Sequence, residues 1–435
     1  MRRGDLPPGG CLAAPRFLPL CRGSGLTRAT SLGQATAFLS APVWRDTGTS
    51  PMISDLVSTY PVSGRRFSVL YRLSGDEQEA RAKARDICLE QTVEFPDALI
   101  PDGVIRDQIL GRIERFEAGP DGGYAAQISY AVEVAGGELT QLLNTVFGNI
   151  SIKPGIRVES LELPDEVRRS FRGPRFGRSG LRERLQIPHR PLLCTALKPL
   201  GLSAQGLAEL AYRFALGGID IIKDDHGLAD QGFASFHERV RLCAEAVLRA
   251  NRESGQRSIY VPNVTAPVDA IGPRARFAKE QGAGGLLIAP GLTGFDSMRC
   301  LSEDDTLALP IFSHPAFQGT YVMSREHGIS HQVLFGQLPR LAGADATIYP
   351  NFGGRFAFTR AECQGIVRGT EMAMGPLKAI FPMPGGGMSL DLVPEMLQAY
   401  GRDVVLLIGG GLMTRGSDLA ENCRHFRKLV ETTTG

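Results

Sequence analysis

The sequence predicts an α/β protein in which a small N-terminal α+β domain, of the ferredoxin-like kind, precedes a C-terminal (β/α)8 TIM barrel. Two strand patterns and two helix patterns fill residues 65–160. From residue 190 onwards, eight short apolar runs recur at spacings of about 20 to 35 residues, with helical segments between them. Strands that alternate with helices form parallel βαβ units, and eight such units form a TIM barrel.

Residues 1–51 form an N-terminal extension that is rich in Pro, Gly, Ser, Thr and Arg and has no sustained hydrophobic period. An Arg-rich, acid-poor segment can be a transit peptide. The same composition is typical of a disordered tail, or of sequence upstream of the start codon that the cell uses. We favour a disordered or non-native extension, because Met52 lies just before the first structured segment.

The small domain is predicted at residues 65–160, with a linker at residues 161–189 and the barrel at residues 190–435. Alternation of apolar and polar residues indicates strands, and helical composition with an apolar stripe indicates helices. The predicted elements are a strand at Phe67–Leu73, a helix at Glu77–Glu90, a strand at Tyr124–Val134 and a helix at Leu139–Phe147.

The barrel strands are predicted at the eight apolar runs. These are Leu192–Leu197, Gly218–Ile222, Ser258–Val264, Gly285–Ala289, Leu309–Ser313, Ala346–Tyr349, Ala379–Met383 and Val404–Ile408. Active residues of TIM barrels lie where the strands end, at the C-terminal face. The polar residues at those ends are Lys198, Lys223, Asp225, His226, Asn263, His314, Tyr349 and Asn351.

Composition excludes several classes of protein. Hydrophobic residues make up 43% of the chain and charged residues 22%, which is ordinary for a globular protein. The formal net charge is +2, of which residues 1–50 contribute +4 and the remainder −2, so the body of the chain offers no basic surface for nucleic acid or an anionic membrane. The eight Cys residues include no CxxC pair, which indicates reduced thiols and a cytoplasmic location.

Two glycine triplets follow the last two predicted strands, at Gly385-Gly386-Gly387 and Gly409-Gly410-Gly411. Phosphate sites in TIM barrels commonly use the loops after strands 7 and 8. Glycine also lets backbone N–H groups approach an anion closely. One triplet alone is typical of a tight turn, but two at these positions predict a phosphorylated ligand.

The segment Ile221–His226 contains the main candidates for catalytic and metal-binding residues. Only seven of the 48 basic residues are Lys, so a Lys at a buried strand end indicates a task that Arg cannot perform. Strand parity directs Lys223 and Asp225 into the barrel and Asp224 away from it, which makes Asp224 structural. Lys223 and Asp225 are either a buried ion pair or a hard-cation site, in which uncharged Lys223 takes up CO2 as a carbamate and His226 adds a nitrogen ligand.

Several motifs resemble those of the RuBisCO large-chain family. Gly217–His226 is similar to its activator-lysine motif, and Thr195–Ser203 to its first-strand motif. Phe147–Asn149 and Phe171–Pro174 resemble the end of its N-terminal domain and its linker. The segment from His327 to Gly343 resembles the one that leads into its sixth barrel strand. The resemblance runs in order from about residue 67 to the end of the chain.

The resemblance implies roles for named residues. Lys223 would be carbamylated and would bind Mg2+ together with Asp225, while Lys198 would move the proton during enolisation. His314 would lie near the substrate hydroxyls, and the two glycine triplets would hold phosphate. Glu90 and Asn149 of a partner subunit would complete the site, which implies a homodimer with shared active sites, and Tyr349 and Asn351 are further candidate substrate contacts.

The chain also departs from the family pattern. His226 stands where the family has Glu, Leu200 follows Pro199 where a Lys is usual, and Pro315 stands in place of an Arg. Tyr349 replaces a His, and the loop Asn351–Arg355 has no Lys. A carboxylase must hold a bisphosphate and protect an enediolate while CO2 adds. The losses imply a RuBisCO-like protein of the type IV, non-carboxylating kind.

His226 also alters the expected metal chemistry. A nitrogen ligand suits Mn2+ or Zn2+ better than Mg2+, so the metal is Mg2+ or another divalent ion. Without a metal, His226 itself would be a proton shuttle.

The retained groups favour a reaction through an enediolate. The leading hypothesis is a decarboxylase of a 3-oxo sugar-acid phosphate, such as 3-oxo-isoapionate 4-phosphate, because one phosphate pocket remains recognisable and the other does not. The alternative is a methionine-salvage enzyme, either a 5-methylthioribulose-1-phosphate isomerase or a 2,3-diketo-5-methylthiopentyl-1-phosphate enolase. A non-catalytic regulatory or stress protein is the alternative of another class.

Overall fold

The computed structural model describes residues 56–119 and 122–434, so the predicted extension at residues 1–51 lies outside the described residues. The strands are β1 (Arg66–Leu73), β2 (Arg112–Ala118), β3 (Tyr124–Ala131), β4 (Ile156–Glu162), β5 (Leu192–Leu197), β6 (Ile221–Asp224), β7 (Ile259–Val261), β8 (Leu286–Ile288), β9 (Ile311–Ser313), β10 (Gly328–Ile329), β11 (Ala346–Pro350), β12 (Phe381–Gly385) and β13 (Val405–Leu407).

The α-helices follow the same chain order. They are α1 (Glu77–Glu90), α2 (Leu139–Phe147), α3 (Asp165–Arg169), α4 (Gly177–Leu185), α5 (Ala204–Leu216), α6 (Phe236–Ser254), α7 (Val268–Glu280), α8 (Pro290–Thr293), α9 (Phe295–Glu303), α10 (Gly319–Val322), α11 (Leu338–Leu341), α12 (Arg360–Glu371), α13 (Val393–Tyr400) and α14 (Leu419–Thr434). Within the described parts of the chain, no helix is long and apolar enough to cross a membrane.

The small domain has the strand and helix order βαββαβ of a ferredoxin-like fold. Its sheet has the order β10-β4-β1-β3-β2, and β1 pairs antiparallel with both β3 and β4. Every second residue of β1 from Phe67 to Leu73 is buried, as the alternation predicts. Both predicted helices have the predicted bounds. Strand β2 was not predicted, because its side chains are almost all exposed and show no apolar alternation.

The barrel contains eight parallel strands, and each overlaps the apolar run predicted for it. They form two four-stranded sheets in the orders β13-β5-β6-β7 and β12-β11-β9-β8. A parallel bridge between Asn263 and Leu287 joins β7 to β8 at one seam. Alternate residues of the strands, among them Leu192, Phe312 and Phe381, form an apolar core inside the barrel.

Helix α4 lies within the predicted linker and packs on the barrel. Its residues Leu181 and Leu185 belong to the same buried cluster as the inward-facing strand residues, so the helix covers the end of the barrel where the strands begin. The Asp345 carboxylate anchors the start of α4 by accepting hydrogen bonds from the backbone N–H groups of Phe176 (2.8 Å) and Gly177 (2.7 Å). The opposite end of the barrel is left for the site.

Candidate active site

A buried ion pair fixes the end of β6. Asp224 points away from the barrel interior, as predicted, and its Oδ2 lies 3.1 Å from Nε of Arg239 on α6. Both side chains are fully buried. Tyr260 donates a hydrogen bond from its hydroxyl to Asp224 Oδ1 (2.7 Å). Asp224 is therefore a structural residue that locks the strand carrying Lys223 and Asp225.

Asn263 holds the loop that follows β6. Its Nδ2 donates to the backbone oxygens of His226 (3.0 Å) and Leu228 (2.9 Å), and its own N–H donates to Asp224 Oδ2 (3.0 Å). The side chain is buried, so these bonds are shielded from competing water. Asn263, which was a candidate because it follows a strand, thus fixes the backbone of the site.

The carboxylate of Asp225 lies at the centre of the cluster. Lys198 Nζ, from the end of β5, is 2.9 Å from Asp225 Oδ1, and His226 Nδ1 is 3.5 Å from the same oxygen. Burial alone would raise the pKa of Asp225, but the hydrogen bonds from His226 and Lys198 outweigh it and hold the pKa well below its usual value. Asp225 is therefore an anion that orients two potential proton carriers.

Lys223 is almost completely buried, and its Nζ donates to the backbone oxygen of Asp224 (2.9 Å). Burial lowers the pKa of Lys223, because an ammonium in this position loses its hydration. A lowered pKa increases the fraction of uncharged amine, which is the form that reacts with CO2. The position thus suits the carbamate that the sequence predicts.

His314 lies beyond β9 and stacks on His226, with ring centroids 4.6 Å apart and an angle of 14° between the planes. Burial, with the nearby charge of Lys223 as a further cause, holds the pKa of His314 well below its usual value. Its Nδ1 accepts a hydrogen bond from the backbone N–H of Ala316 (3.1 Å), so the proton of the neutral ring is on Nε2. His314 is thus a neutral hydrogen-bond donor.

The side chains fit a metal ion only with a modified Lys223. In residues 56–119 and 122–434 no group of three or more His, Cys, Asp and Glu side chains is arranged to hold a metal. A carbamate on Lys223 would add an oxygen ligand to the carboxylate of Asp225 and the imidazole of His226. Oxygen ligands with one nitrogen form a donor set suited to a divalent cation.

The glycine triplets end β12 and follow β13. Gly386 and Gly387 have φ angles of +90° and +88°, which favour glycine. Around Gly409 and Gly410, no atom lies within 4 Å of the position that a Cβ would occupy. The N–H groups of Gly386, Gly387 and Gly409 donate no hydrogen bond to the described part of the protein. The loops therefore offer open backbone donors of the kind that bind phosphate.

Glu90 and Asn149 lie together in the small domain. Asn149 Nδ2 donates to Glu90 Oε1 (3.1 Å), and Lys153 Nζ is 2.8 Å from Glu90 Oε2. The hydrogen bonds from Lys153 and Asn149 lower the pKa of Glu90, which keeps this partly exposed group anionic. The two residues predicted to act together are thus neighbours, and their role in a partner's site stays a prediction.

The prediction that Tyr349 and Asn351 contact substrate is wrong. Both side chains are buried, and Tyr349 lies on the outer side of β11, which faces the helices. Ala346 and Ile348 point into the barrel, so strand parity turns Tyr349 outwards. The Tyr349 ring packs 6.5 Å from the ring of Tyr400, and the Tyr400 hydroxyl donates to Asn351 Oδ1.

Two contributors were missed from the sequence. Arg239 is one, because its partner Asp224 lies 15 residues earlier and only the folded chain brings them together. Arg355 is the other: its backbone N–H donates to Gly386 O (3.1 Å), and its side chain is exposed beside the glycine triplet. The signal available for Arg355 was its position in the loop after the sixth barrel strand.

Residues 177–417 match the family described as ribulose bisphosphate carboxylase large chain, catalytic domain. The 5-methylthioribulose-1-phosphate isomerase of Rhodospirillum rubrum is 39% identical over 83% of this chain and 95% of its own length. The 2,3-diketo-5-methylthiopentyl-1-phosphate enolase of Geobacillus thermodenitrificans is 34% identical over 82% of this chain and 90% of its own length.

Two solved structures are also similar to this chain over most of its length. The Rubisco-like protein of Rhodopseudomonas palustris is 37% identical, covers 84% of this chain and 97% of its own, and superposes with a TM-score of 0.76. The dimeric archaeal Rubisco of Hyperthermus butylicus is 26% identical, covers 86% of this chain and 92% of its own, and also has a TM-score of 0.76. The similarity therefore spans both the small domain and the barrel.

Proposed function

This chain belongs to the RuBisCO large-chain family as a RuBisCO-like, non-carboxylating protein, and from that premise we propose that it isomerises 5-methylthioribulose 1-phosphate in methionine salvage. The observation that carries the proposal is the contact of 2.9 Å between Lys198 Nζ and Asp225 Oδ1, which joins an acid/base group to a carboxylate beside the buried Lys223. The similarity to an isomerase over most of the chain supports the substrate class.

The comparisons favour this alternative over the decarboxylase hypothesis. Two of the relatives described above are named as an isomerase and an enolase of methylthio sugar phosphates, and none is named as a decarboxylase. Their substrates carry one phosphate, for which the two glycine loops offer open backbone donors. The general class, an enzyme acting through an enediolate, is common to both hypotheses.

The geometry suggests a proton-transfer sequence. Lys198, as the uncharged amine, takes the proton next to the substrate carbonyl and becomes an ammonium, while the electron pair of the C–H bond moves into the carbonyl to form an enediolate. Asp225 holds the Lys198 Nζ in position, and the Nε2–H of His314 is available to a substrate oxygen. The neighbouring hydroxyl then gives its proton to the former carbonyl oxygen, and Lys198 returns the carbon-bound proton to the other carbon of the enediolate, which shifts the carbonyl and completes an isomerisation. The open N–H groups of Gly386, Gly387 and Gly409 hold the phosphate.

A divalent cation, Mg2+ or another, would stabilise the oxyanion of the enediolate by its charge. Carbamylated Lys223, Asp225 and His226 are the residues that would hold it. Their donor set differs from the all-oxygen set implied for the family, because His226 provides nitrogen.

The enolase of the same pathway is the second candidate. Relatives of that name are also similar over most of the chain, and an enolase needs the same first proton transfer. The two reactions differ in substrate, since the enolase acts on the 2,3-diketo compound. In either case we propose a homodimer, with Glu90 and Asn149 of each small domain facing the barrel mouth of the partner.

A direct assay distinguishes the proposals. Purified protein, supplied with bicarbonate and Mg2+, is incubated separately with 5-methylthioribulose 1-phosphate, 2,3-diketo-5-methylthiopentyl 1-phosphate and 3-oxo-isoapionate 4-phosphate, and products are followed by NMR. Conversion of the first compound supports the isomerase, and conversion of the second alone supports the enolase. Release of CO2 from the third alone would reinstate the decarboxylase, and no conversion of any would favour a non-catalytic role.

A further inference from the structure

Two exposed apolar side chains lie at the mouth of the barrel, after the neighbouring strands β8 and β9. Phe317, after β9, is 74% exposed, and Leu292, after β8, is 57% exposed. In a ring of eight strands, β8 lies opposite β13, which precedes the triplet at Gly409. An apolar residue that follows β8 therefore lies across the barrel mouth from the glycine loop that follows β13.

The two loops pack against each other at Gly291, which brings the residues next to Phe317 and Leu292 together. A Cβ on Gly291 would lie 2.5 Å from Ala316 O and 2.7 Å from Gln318 Cγ, and therefore only glycine permits this approach. Gly291 directly precedes Leu292, and Ala316 directly precedes Phe317. We call this pair of side chains the apolar wall.

The loop that carries Phe317 is hydrogen-bonded to the catalytic cluster through His314. The backbone N–H of Ala316 donates to Nδ1 of His314 (3.1 Å), and the His314 ring stacks on His226 at 4.6 Å. The turn that places Phe317 at the mouth thus also sets the hydrogen bond that leaves the His314 proton on Nε2.

Phe317 adopts a backbone conformation that is costly for its residue type. Its φ is +67°, in the left-handed region where a Cβ meets the backbone and where non-glycine residues are uncommon. An exposed aromatic ring gains little from burial, so packing of the ring does not offset this strain. A strained residue at the mouth of a site is retained where it has a function.

The lack of charged residues in the two loops indicates which kind of ligand group they suit. Residues 289–295 and 314–323, which make up the two loops, contain no Lys, Arg, Asp or Glu. A second phosphate would require cationic donors there, whereas a thioether requires apolar contact. We propose that the apolar wall of Leu292 and Phe317 binds the methylthio group of the substrate and sets the preference for a methylthio sugar phosphate over its hydroxyl analogue. This inference rests on the proposed function and deepens it.

The test compares two substrates that differ only at carbon 5. Steady-state kinetics are measured with 5-methylthioribulose 1-phosphate and with ribulose 1-phosphate, which has a hydroxyl in place of the methylthio group. Should the wild type use the diketo compound instead, that compound and its 5-hydroxy analogue replace the pair. For Phe317→Ala and Leu292→Ala, we expect kcat/KM for the methylthio substrate to fall about tenfold or more, chiefly through KM, because apolar contacts of this size discriminate about 10- to 200-fold.

The hydroxyl analogue is expected to change by less than about threefold under the same substitutions, since it makes little apolar contact. Leu248→Ala is the matched control, because Leu248 is a similarly exposed apolar residue on the outer helix α6 and should alter neither substrate. Phe317→Gly controls for misfolding, because glycine adopts the φ of +67° without the Cβ clash. This variant should be at least as stable as wild type, yet it should lose the preference for the methylthio substrate over its hydroxyl analogue.

An equal loss for both substrates, or no loss for either, would overturn the inference while leaving the proposed function intact. An equal loss accompanied by a change of mass in light scattering would place Phe317 in a subunit contact instead. If the wild type converts neither methylthio compound, the proposed function itself fails, and the inference fails with it.

Discussion

Replacement of Arg239 by Met removes the cation that neutralises the buried Asp224 carboxylate. The Met side chain is apolar and of comparable length, so the substitution deletes the guanidinium with little change of shape. Three interactions are lost: the ion pair to Asp224 Oδ2 at 3.1 Å and the hydrogen bonds to the backbone oxygens of Ala234 (2.9 Å) and Ala229 (2.8 Å).

The free energy of unfolding should fall by about 3–5 kcal/mol, because removal of one member of a buried pair leaves an uncompensated charge. Asp224 retains the hydroxyl of Tyr260 and the N–H of Asn263, so it is not left without any donor. In the double variant Arg239→Met/Asp224→Asn neither position of the pair carries a charge. We therefore expect the double variant to be more stable than Arg239→Met alone.

The assay is urea unfolding followed by circular dichroism, with wild type, both single variants and the double variant measured in parallel. A double-mutant cycle then isolates the energy of the pair from that of the other contacts. Catalytic activity is measured below the transition, where displacement of the β6 end should lower kcat because Lys223 and Asp225 flank Asp224.

Two results would refute the reasoning. An Arg239→Met variant within about 1 kcal/mol of wild type would mean that the pair contributes no more than an exposed salt bridge. A double variant no more stable than Arg239→Met would mean that the charge left on Asp224 is not the source of the loss.

Three further predictions concern proton transfer, phosphate binding and pH. In steady-state kinetics, Lys198→Met should lower kcat by about 10²–10⁴-fold with a small change in KM, because the acid/base group is removed while the binding groups remain. An unchanged kcat would mean that another residue transfers the proton. Arg355→Gln should raise KM for the phosphorylated substrate with kcat little changed, whereas Arg360→Gln, a control on the following helix, should leave KM unaltered. Burial, opposed in part by the charge of Glu362, lowers the pKa of His331 to about 4, so stability from the neutral ring is full above pH 6.5 and is lost as the pH falls towards 4. The shift corresponds to about 3 kcal/mol, and His331→Phe should flatten the pH dependence of the urea midpoint over this interval; an equal slope in both proteins would contradict the assignment.

The barrel could be predicted from sequence because parallel strands are buried on both faces and appear as short apolar runs. All eight runs overlap strands, although the bounds differ by several residues, as at Gly218–Ile222 against the strand Ile221–Asp224. Strand β2 gave no such signal, since an exposed edge strand has no apolar periodicity to detect. Domain boundaries at residues 160 and 190 stay predictions, and helix α4 shows that residues of the linker contribute to the barrel core.

The site residues could be predicted from the sequence where a reactive residue type also lies at a position that strand parity directs into the barrel. Lys223, Asp225 and Asp224 point as parity predicts, and Lys198 meets Asp225 across two neighbouring strands. Tyr349 is polar and lies at a strand end, which favours a site residue, but strand parity turns its side chain outwards. The partners of Asp224 and His314 depend on contacts between distant elements, and no local pattern in the sequence reports them.

The central claim is that Lys198 and the cluster around Asp225 move a proton next to the carbonyl of a methylthio sugar phosphate. NMR of 5-methylthioribulose 1-phosphate in D2O tests this most directly, with wild type and Lys198→Met compared at equal concentration. The account predicts that wild type incorporates deuterium at the carbon next to the carbonyl and that Lys198→Met, although it still binds the substrate, does not. Absence of exchange with wild type, or equal exchange with both proteins, would contradict it.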